Sequence, residues 1–179
     1  TFSVEQPVMT VVCLSVTELR CPGNDWYEFG EFCYKPFSER KTWHGARQAC
    51  RAQGAEGGDL VSIHSQEEKE FLSTYSKGTN KWIGLKHNPT GRYCWSDGTP
   101  LSHTNWADGE PNNHEGREEC VEMVSSPSGT YSWWNDLNCD AHQDWICKIN
   151  RHSVLTHRWP HTPRAQVFHN LGPRAISKD

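Results

Sequence analysis

The segment EPNNHEGREEC, residues 110–120, holds four carboxylates, two amides, an imidazole and a cysteine in eleven positions. No hydrophobic period runs through it, and Pro111 and Gly116 argue against a regular helix or strand. It lies within roughly 45 residues, from Leu85 to Tyr131, that show little periodicity and many turn-forming residues. A stretch of that length inside a compact domain indicates either a functional loop or a wrong assignment. Composition alone leaves two interpretations open, a solvated acidic loop or a gathering of oxygen ligands.

The chain around this segment has 179 residues, enough for about one domain. Nine tryptophans supply large apolar surfaces that can anchor a core built mostly of loops. No apolar run approaches 18 residues, so this segment predicts no membrane insertion.

Eight cysteines indicate an oxidising, extracellular environment, because no CxxC pair and no Cys/His zinc spacing occurs among them. Eight cysteines allow 105 pairings, and the spacing does not choose among these. They are Cys13, Cys21, Cys33, Cys50, Cys94, Cys120, Cys139 and Cys147.

The net charge of −4 is unevenly spread. Residues 151–179 carry five basic and one acidic side chain, which leaves thirteen basic and twenty-one acidic side chains on the rest. An acidic body argues against nucleic acid as a partner. The basic, proline-containing end, residues 150–179, is predicted to be a flexible tail or linker.

Local patterns predict a domain over residues 21–149, preceded by a linker or added strand over residues 1–20. A hairpin turning at Gly30 comes first, and a helix follows that ends near Gly54. Ser65, with Glu68 three residues later, forms a capping box that opens a second helix, whose residues 67–70 are expected to be exposed. KWIGL, YSWWND and DWICKI are predicted strands.

Several motifs, in this order, resemble the C-type lectin-like domain over residues 21 to about 149. Sugar-binding repeats of the mannose-receptor family are especially similar, because they share the motifs WSDG and EPNN. The motifs are WIGL at 82–85, WSDGTP at 95–100, NWADGEPNN at 105–113, WND at 134–136, and six of the cysteines.

This resemblance implies an α+β fold in which two helices flank two small antiparallel sheets and a long calcium-binding loop. It also implies three disulfides, and it leaves Cys13 and Cys94 over. These two could pair together, pair between chains or stay free, and a bridge between them is the favoured hypothesis. The implied pairs are Cys21–Cys33, Cys50–Cys147 and Cys120–Cys139.

Five residues match the positions that hold the sugar-contacting calcium ion in the resembling family. Carboxylate and amide oxygens are ligands that Ca²⁺ prefers. The resemblance implies a cis peptide at Pro111, which would aim both flanking side chains to one side. The five matching residues are Glu110, Asn112, Glu118, Asn135 and Asp136.

The same motif implies the class of sugar. Two vicinal hydroxyls would fill open calcium positions, Glu110 and Glu118 would accept their protons, and Asn112 and Asn135 would donate to their oxygens. The Glu-Pro-Asn wording is associated with mannose, N-acetylglucosamine and fucose, and Gln-Pro-Asp with galactose. His114 is added as a ligand-binding residue that packs on the sugar, and Trp133 is a further candidate.

An accessory calcium site is expected to be weak or absent. By alignment from WIGL, two of its acidic positions fall at Lys86 and Thr90, and a lysine cannot ligate a cation. Asn113, Glu118 and Glu119 would be left as its ligands. One calcium ion is therefore predicted.

The sequence predicts a secreted lectin or one repeat of a cell-surface endocytic receptor. Its partners would be glycans with terminal mannose-type sugars, with neighbouring repeats or oligomers supplying avidity. The alternative keeps the fold but recognises a protein or lipid without sugar. No Ser/His/Asp arrangement and no HExxH spacing occurs, so no enzyme is predicted.

Overall fold

The computed structural model describes residues 14–53 and 58–158. Among the described residues, Leu19–Ser153 form one compact unit, and residues 14–18 and 154–158 belong to a second. The helices are α1 (Trp43–Arg51) and α2 (Gln66–Tyr75). The strands are β1 (Leu14–Arg20), β2 (Tyr27–Phe29), β3 (Phe32–Lys41), β4 (Asp59–Leu60), β5 (Lys81–His87), β6 (Tyr93–Trp95), β7 (Cys120–Ser125), β8 (Ser132–Leu137), β9 (Gln143–Asn150) and β10 (His152–Arg158).

Helix α1 forms because its apolar residues recur on one face and its first turn is capped. Trp43, Ala46 and Cys50 are buried at helical spacing, and the Thr42 hydroxyl accepts from the Gly45 N–H at 3.2 Å. The predicted helix is confirmed, but it ends at Arg51, before Gly54, which lies outside the described residues.

Helix α2 begins at the predicted cap, where the Ser65 hydroxyl accepts from the Glu68 N–H at 3.1 Å. The prediction that residues 67–70 are exposed is wrong for Glu68 and Lys69, which are buried. Glu68 accepts hydrogen bonds from the Tyr34 hydroxyl at 2.6 Å and from the Lys148 ammonium at 2.8 Å. A buried carboxylate is tolerated here because a cation and a hydroxyl satisfy it.

Eight strands form one sheet, in the order β2-β3-β9-β5-β7-β8, with β4 on β9 and β6 on β5. All pairs are antiparallel except β5–β9, where Trp82 lies opposite Trp145 in a parallel pair. The α+β fold is therefore confirmed, with the correction that this parallel pair joins the expected small sheets into one. Strands β1 and β10 form a separate two-stranded sheet.

The WIGL segment lies in β5, at the centre of this sheet, and Gly84 is required by close packing. A Cβ at Gly84 would lie 2.8 Å from the Leu60 carbonyl oxygen and 2.9 Å from the Ser96 hydroxyl. Two tryptophan rings near this segment are tied to backbone, since Trp43 donates to the Ile83 carbonyl at 2.8 Å and Trp82 to the Lys41 carbonyl at 2.9 Å.

Two hydrophobic clusters cover opposite sides of β5. One joins α1 to Trp82, Trp145 and the Cys50–Cys147 bridge, and the other joins α2 to Ile83, Leu85 and Trp134. Because residues alternate along a strand, neighbours in β5 and β9 belong to different clusters, as Trp82 and Ile83 and as Trp145 and Ile146 do. Both helices are thereby fixed to the sheet that carries the loop.

The three disulfides implied by the resemblance are present, Cys21–Cys33, Cys50–Cys147 and Cys120–Cys139. Cys94 is a free, exposed thiol. Because the Cys94 thiol is free, it is not part of the favoured bridge to Cys13. Cys13 itself lies outside the described residues.

The structure also differs from two expectations about the chain ends and the long loop. Within residues 150–179, predicted to be a flexible tail, residues 152–158 form strand β10, and within residues 1–20 the added strand is β1. The stretch from Leu85 to Tyr131 contains β6 and β7, so it is less irregular than its composition suggested. No helix in the described ranges is long and apolar enough to cross a membrane.

Candidate functional site

The long loop is attached to the free edge of β8 by backbone hydrogen bonds. The Trp134 N–H donates to the Asn105 carbonyl at 2.7 Å, and the Ala107 N–H donates to the Trp134 carbonyl at 2.9 Å. Trp106 thereby forms a parallel bridge with Trp134. Because β8 is the last strand of the sheet, this attachment places the segment after Ala107 beside the end of the WND motif.

Glu110 and Asn112 face each other across Pro111. The Glu110–Pro111 peptide is cis, as the resemblance implies. The Asn112 N–H donates to one Glu110 oxygen at 3.0 Å, and the Asn112 side-chain amide donates to the other at 2.8 Å. The structure thus brings the predicted acid and amide together on one side of the proline.

Asp136 organises the start of the segment. Its fully buried carboxylate accepts from the backbone N–H of Asn112 at 3.1 Å and from that of Asn113 at 2.7 Å. The Tyr93 hydroxyl donates to the same carboxylate at 3.2 Å. A strand residue therefore fixes the loop backbone between Glu110 and His114.

Glu118 is tied back to the same turn. Its N–H donates to the Asn113 side-chain oxygen at 3.0 Å, and its carboxylate accepts from the His114 N–H at 3.0 Å. Between them, Asn113 and Glu115 have positive φ values of 44° and 54°, which non-glycine residues adopt at some cost. The His114 ring is exposed, beside Glu115 rather than against Glu110.

Asn135 has a different set of contacts from its neighbour Asp136. Its side-chain Nδ2 donates to Glu122 Oε1 at 3.1 Å, on the opposing strand β7. Burial raises the pKa of Glu122, although hydrogen bonds from Asn135, Asn80 and Gln143 act to lower it. Asn135 is thus next to Asp136 in the sequence, but its amide nitrogen points to Glu122.

Acidic groups dominate this site. Among the ion pairs of the described residues, none involves Glu110, Glu118 or Asp136. Partial burial and the neighbouring Asp136 carboxylate raise the pKa of Glu110. Burial, followed by the charge of Asp136, raises the pKa of Tyr93. The cluster thus has an excess of negative charge that a cation would relieve.

The accessory position contains a lysine that is already paired. Lys86 Nζ lies 2.9 Å from Glu119 Oε2 and donates to it. This hydrogen bond lowers the pKa of Glu119. The remaining predicted accessory ligands, Asn113 and Glu118, bond to each other instead, and Thr90 bonds to Asn88.

Two residues around the site were not found from the sequence. Tyr93 was hidden because β6 has only three residues, too few for a period. Glu122 left a signal that could have been used, a single acid within the apolar strand CVEMVS. Trp133, the further candidate for contact with sugar, stacks on Tyr131 with ring centroids 5.6 Å apart.

No group of three or more His, Cys, Asp or Glu side chains within the described ranges has the arrangement of a metal site. The acids of the cluster are turned to backbone N–H groups, and two of the five predicted ligands are amides. A cavity of about 240 Å³ lies elsewhere, lined by Phe32, Ser62, His64 and Lys148 among others, and none of the predicted site residues borders it.

Comparison with known proteins gives a consistent result. The profile of the family described as "Lectin C-type domain" matches residues 39–149. The chain is 42% identical over 134 residues to "C-type lectin lectoxin-Thr1" of Thrasops jacksonii, covering 72% of this chain and 82% of that protein.

Solved structures agree in fold but differ in what their titles say. The carbohydrate-recognition domain of cow CD23, solved in the presence of a GlcNAc2Man3 oligosaccharide, is 37% identical, with a TM-score of 0.66 over 75% of this chain and 98% of that one. A calcium-independent type II antifreeze protein is 29% identical, with a TM-score of 0.65 over 75% of this chain and 98% of that one. The relatives named here include a snake lectin and CD23, and a special likeness to mannose-receptor repeats is not confirmed.

Proposed function

Because this chain belongs to the lectin C-type domain family, a family of lectins and receptors and not of enzymes, we propose that it binds carbohydrate through one calcium ion. The observation that carries the proposal is the cluster of Glu110, Glu118 and Asp136 around one turn, without a basic partner among the described residues. Clustered carboxylates without a cation repel one another, and a bound cation would remove that cost.

The donor set fits calcium by its chemistry. Three carboxylates and two amide carbonyls provide hard oxygen ligands, and Ca²⁺ takes six to eight of these, including water. Glu110, Asn112, Glu118, Asn135 and Asp136 would hold the ion. Binding would require carboxylates of this set to exchange backbone N–H partners for the cation, since Glu110 and Asp136 accept from loop N–H groups.

Sugar recognition follows from the roles of the side chains. A bound calcium ion would supply open coordination positions for two vicinal hydroxyls. Glu110 and Glu118 accept hydrogen bonds from the sugar hydroxyls, since ionised carboxylates only accept. Asn112 and Asn135 donate to the hydroxyl oxygens, since their NH₂ groups only donate. This arrangement selects the hydroxyl pair of mannose, N-acetylglucosamine and fucose, the class predicted for Glu-Pro-Asn.

His114 contributes at the rim of the site. Its ring is exposed on the turn whose N–H groups bond Asp136 and Glu118, where it can pack on the face of a bound sugar. The natural ligands are then glycans or glycoproteins with terminal mannose-type sugars. An open site of this kind gains affinity from several copies, in neighbouring repeats or oligomers. Three disulfides support a location outside the cell, secreted or on a receptor.

A second function is favoured by one observation. The fold is shared with a calcium-independent antifreeze protein, so the scaffold does not require the ion. In this alternative the domain recognises a protein or lipid without sugar, and the acidic turn is only a solvated loop. Mutation of the turn distinguishes the two functions. It should abolish sugar binding under the first proposal and leave protein or lipid binding unchanged under the second.

The test is chromatography on immobilised mannose. Retention in calcium and release by a chelator are expected, with no retention of an Asn112→Ala variant. Glu115→Gln is the matched control, because Glu115 is exposed on the same turn and its ion pairs with described residues are those with His114 and Arg117. Retention that persists in chelator, or no retention of the wild-type chain on any of the three sugars, would contradict the proposal.

A further inference from the structure

Glu122 is a buried carboxylate whose contacts lead to the site. It lies in β7, is 4% exposed, and forms no ion pair with any basic residue in the described ranges. Its Oε1 accepts from Asn135 Nδ2 at 3.1 Å, and its Oε2 accepts from Gln143 Nε2 at 2.5 Å. Both oxygens act as acceptors, as an ionised carboxylate does. Trp82 lies opposite it in β5.

Asn135 needs to be held in one orientation. Its side chain ends in a carbonyl oxygen, which can ligate a cation, and in an NH₂ group, which cannot. A half-turn of the amide would exchange the two and present donors to the ion. The β7–β8 register places Glu122 directly opposite Asn135, so the carboxylate meets whichever end of the amide is turned toward it.

We propose that Glu122 is a positioning residue, which binds the amide nitrogen of Asn135 and thereby commits its carbonyl oxygen to calcium. This inference rests on the proposed function, and it adds a residue that touches neither ion nor sugar. A carboxylate suits the task because it offers no donor, so the reversed amide would set two acceptors against each other.

The same contact leaves Asn135 able to recognise sugar. The NH₂ group has two N–H donors, and Glu122 uses one of them. The second remains for a hydroxyl oxygen. Gln143 binds the other oxygen of Glu122 and so holds the carboxylate in turn. Outer partners of this kind typically change metal affinity about 10–100-fold when they are removed.

The experiment measures calcium affinity by calorimetry and stability by urea unfolding in chelator, for the wild-type chain and three variants. Glu122→Gln can donate to the Asn135 carbonyl and so releases the amide from its orientation. We expect its calcium dissociation constant to rise about 10–100-fold. Glu68→Gln is the matched control, an equally buried glutamate that contacts Tyr34 and Lys148, and it should lower stability without changing calcium affinity.

The third variant exchanges the two groups, Glu122→Gln with Asn135→Asp. The introduced amide then donates to one oxygen of the introduced carboxylate, and the other oxygen remains for calcium at the same net charge. Recovery of affinity to within a few-fold of wild type is expected. A purely structural role would instead change the unfolding free energy of Glu122→Gln and leave its calcium affinity intact, which would overturn the inference, as would an exchange variant that recovers nothing.

Two further readings keep the result decisive. In the ion-free wild-type chain, NMR should show that the Asn135 N–H bonded to Glu122 is protected from solvent exchange and that the second N–H is not. Equally rapid exchange of both would overturn the inference even if Glu122→Gln did not fold. Absence of calcium binding by the wild-type chain would refute the proposed function itself. Wild-type binding with an unaffected Glu122→Gln refutes only the role of Glu122.

Discussion

Lys86, in β5, donates to Glu119, the residue before β7, with 2.9 Å between Nζ and Oε2. The His87 N–H donates to the backbone carbonyl of Glu119 at 2.7 Å, so the same residue is held twice. An ammonium group here neutralises a carboxylate that would otherwise be available to a second cation. Lys86 stands at a position where the alignment from WIGL led us to expect an acidic ligand of the accessory site.

We therefore expect one calcium ion per chain. Calorimetric titration should give a stoichiometry near one for wild type. It should stay near one for Lys86→Met, because the other predicted accessory ligands, Asn113 and Glu118, remain bonded to each other. Because Glu119 is largely exposed, this substitution should cost less than about 1 kcal/mol of unfolding free energy. Binding of two ions by the wild-type chain would contradict the expectation.

Exchanging acid and amide around Pro111 should change sugar preference. In Glu110→Gln with Asn112→Asp, the donor and the acceptor trade sides, so the chain should favour galactose over mannose. Competition by free sugars for an immobilised glycan measures the ratio, with Glu115→Gln as the variant that should not change it. Mannose selectivity that survives the exchange would refute the donor–acceptor explanation.

Acid should destabilise the fold through His64. Burial, and then the Lys148 ammonium, lower the pKa of His64, while Glu68 and Asp97 act in the opposite sense and His103 adds to the lowering. The unfolded chain, with an ordinary value of about 6.5, therefore binds the proton more tightly. The stabilising contribution is present above that pH and is lost as the pH falls through the folded value.

The check is urea unfolding of wild type and His64→Gln at pH 7, 6 and 5. The free energy of unfolding should fall toward pH 5 in both proteins, and less steeply in His64→Gln. The variant still loses stability because the pKa of His103 is also lowered. His114→Gln, at an exposed position, is the control. Parallel pH profiles for wild type and His64→Gln would exclude the assignment.

The disulfides should contribute unequally to stability. Cys50–Cys147 joins residues 97 apart in the chain and Cys21–Cys33 residues 12 apart. Loop-closure entropy predicts losses of about 5 and about 3 kcal/mol on replacing each pair by alanine. Chemical unfolding of the two variants measures the order, which burial of Cys50 and Cys147 should accentuate. A larger loss for Cys21–Cys33 would show that chain entropy is not the main cause.

Much of the fold could be predicted because its signals are local. The cap at Ser65, the turn at Gly30 and the apolar run KWIGL each fix a short element by its own residues. The strand β7 was missed because CVEMVS lies inside a stretch dominated by turn-forming residues. The parallel β5–β9 pair could not be predicted, since it joins strands about sixty residues apart through tertiary packing alone.

The residues of the candidate site were predicted from motifs, but the bonds that connect them were not. Glu110, Asn112 and Asp136 were identified from motifs, and the structure brings them together. That Asp136 holds the loop by its backbone N–H groups has no signature in sequence, because any residue except proline supplies that donor. Burial of Glu68 was missed for a similar reason, since its partners Tyr34 and Lys148 are distant in the chain.

The hold of Asp136 on the turn has a consequence for how such a domain diversifies. Its carboxylate bonds the main chain of Asn112 and Asn113, not their side chains. Substitutions of Asn112 or Asn113 therefore alter which chemical groups are displayed without removing these two bonds to Asp136, with proline as the exception. Evolution can then exchange the side chains displayed at these two positions one at a time, while the hold of the strand on the turn persists.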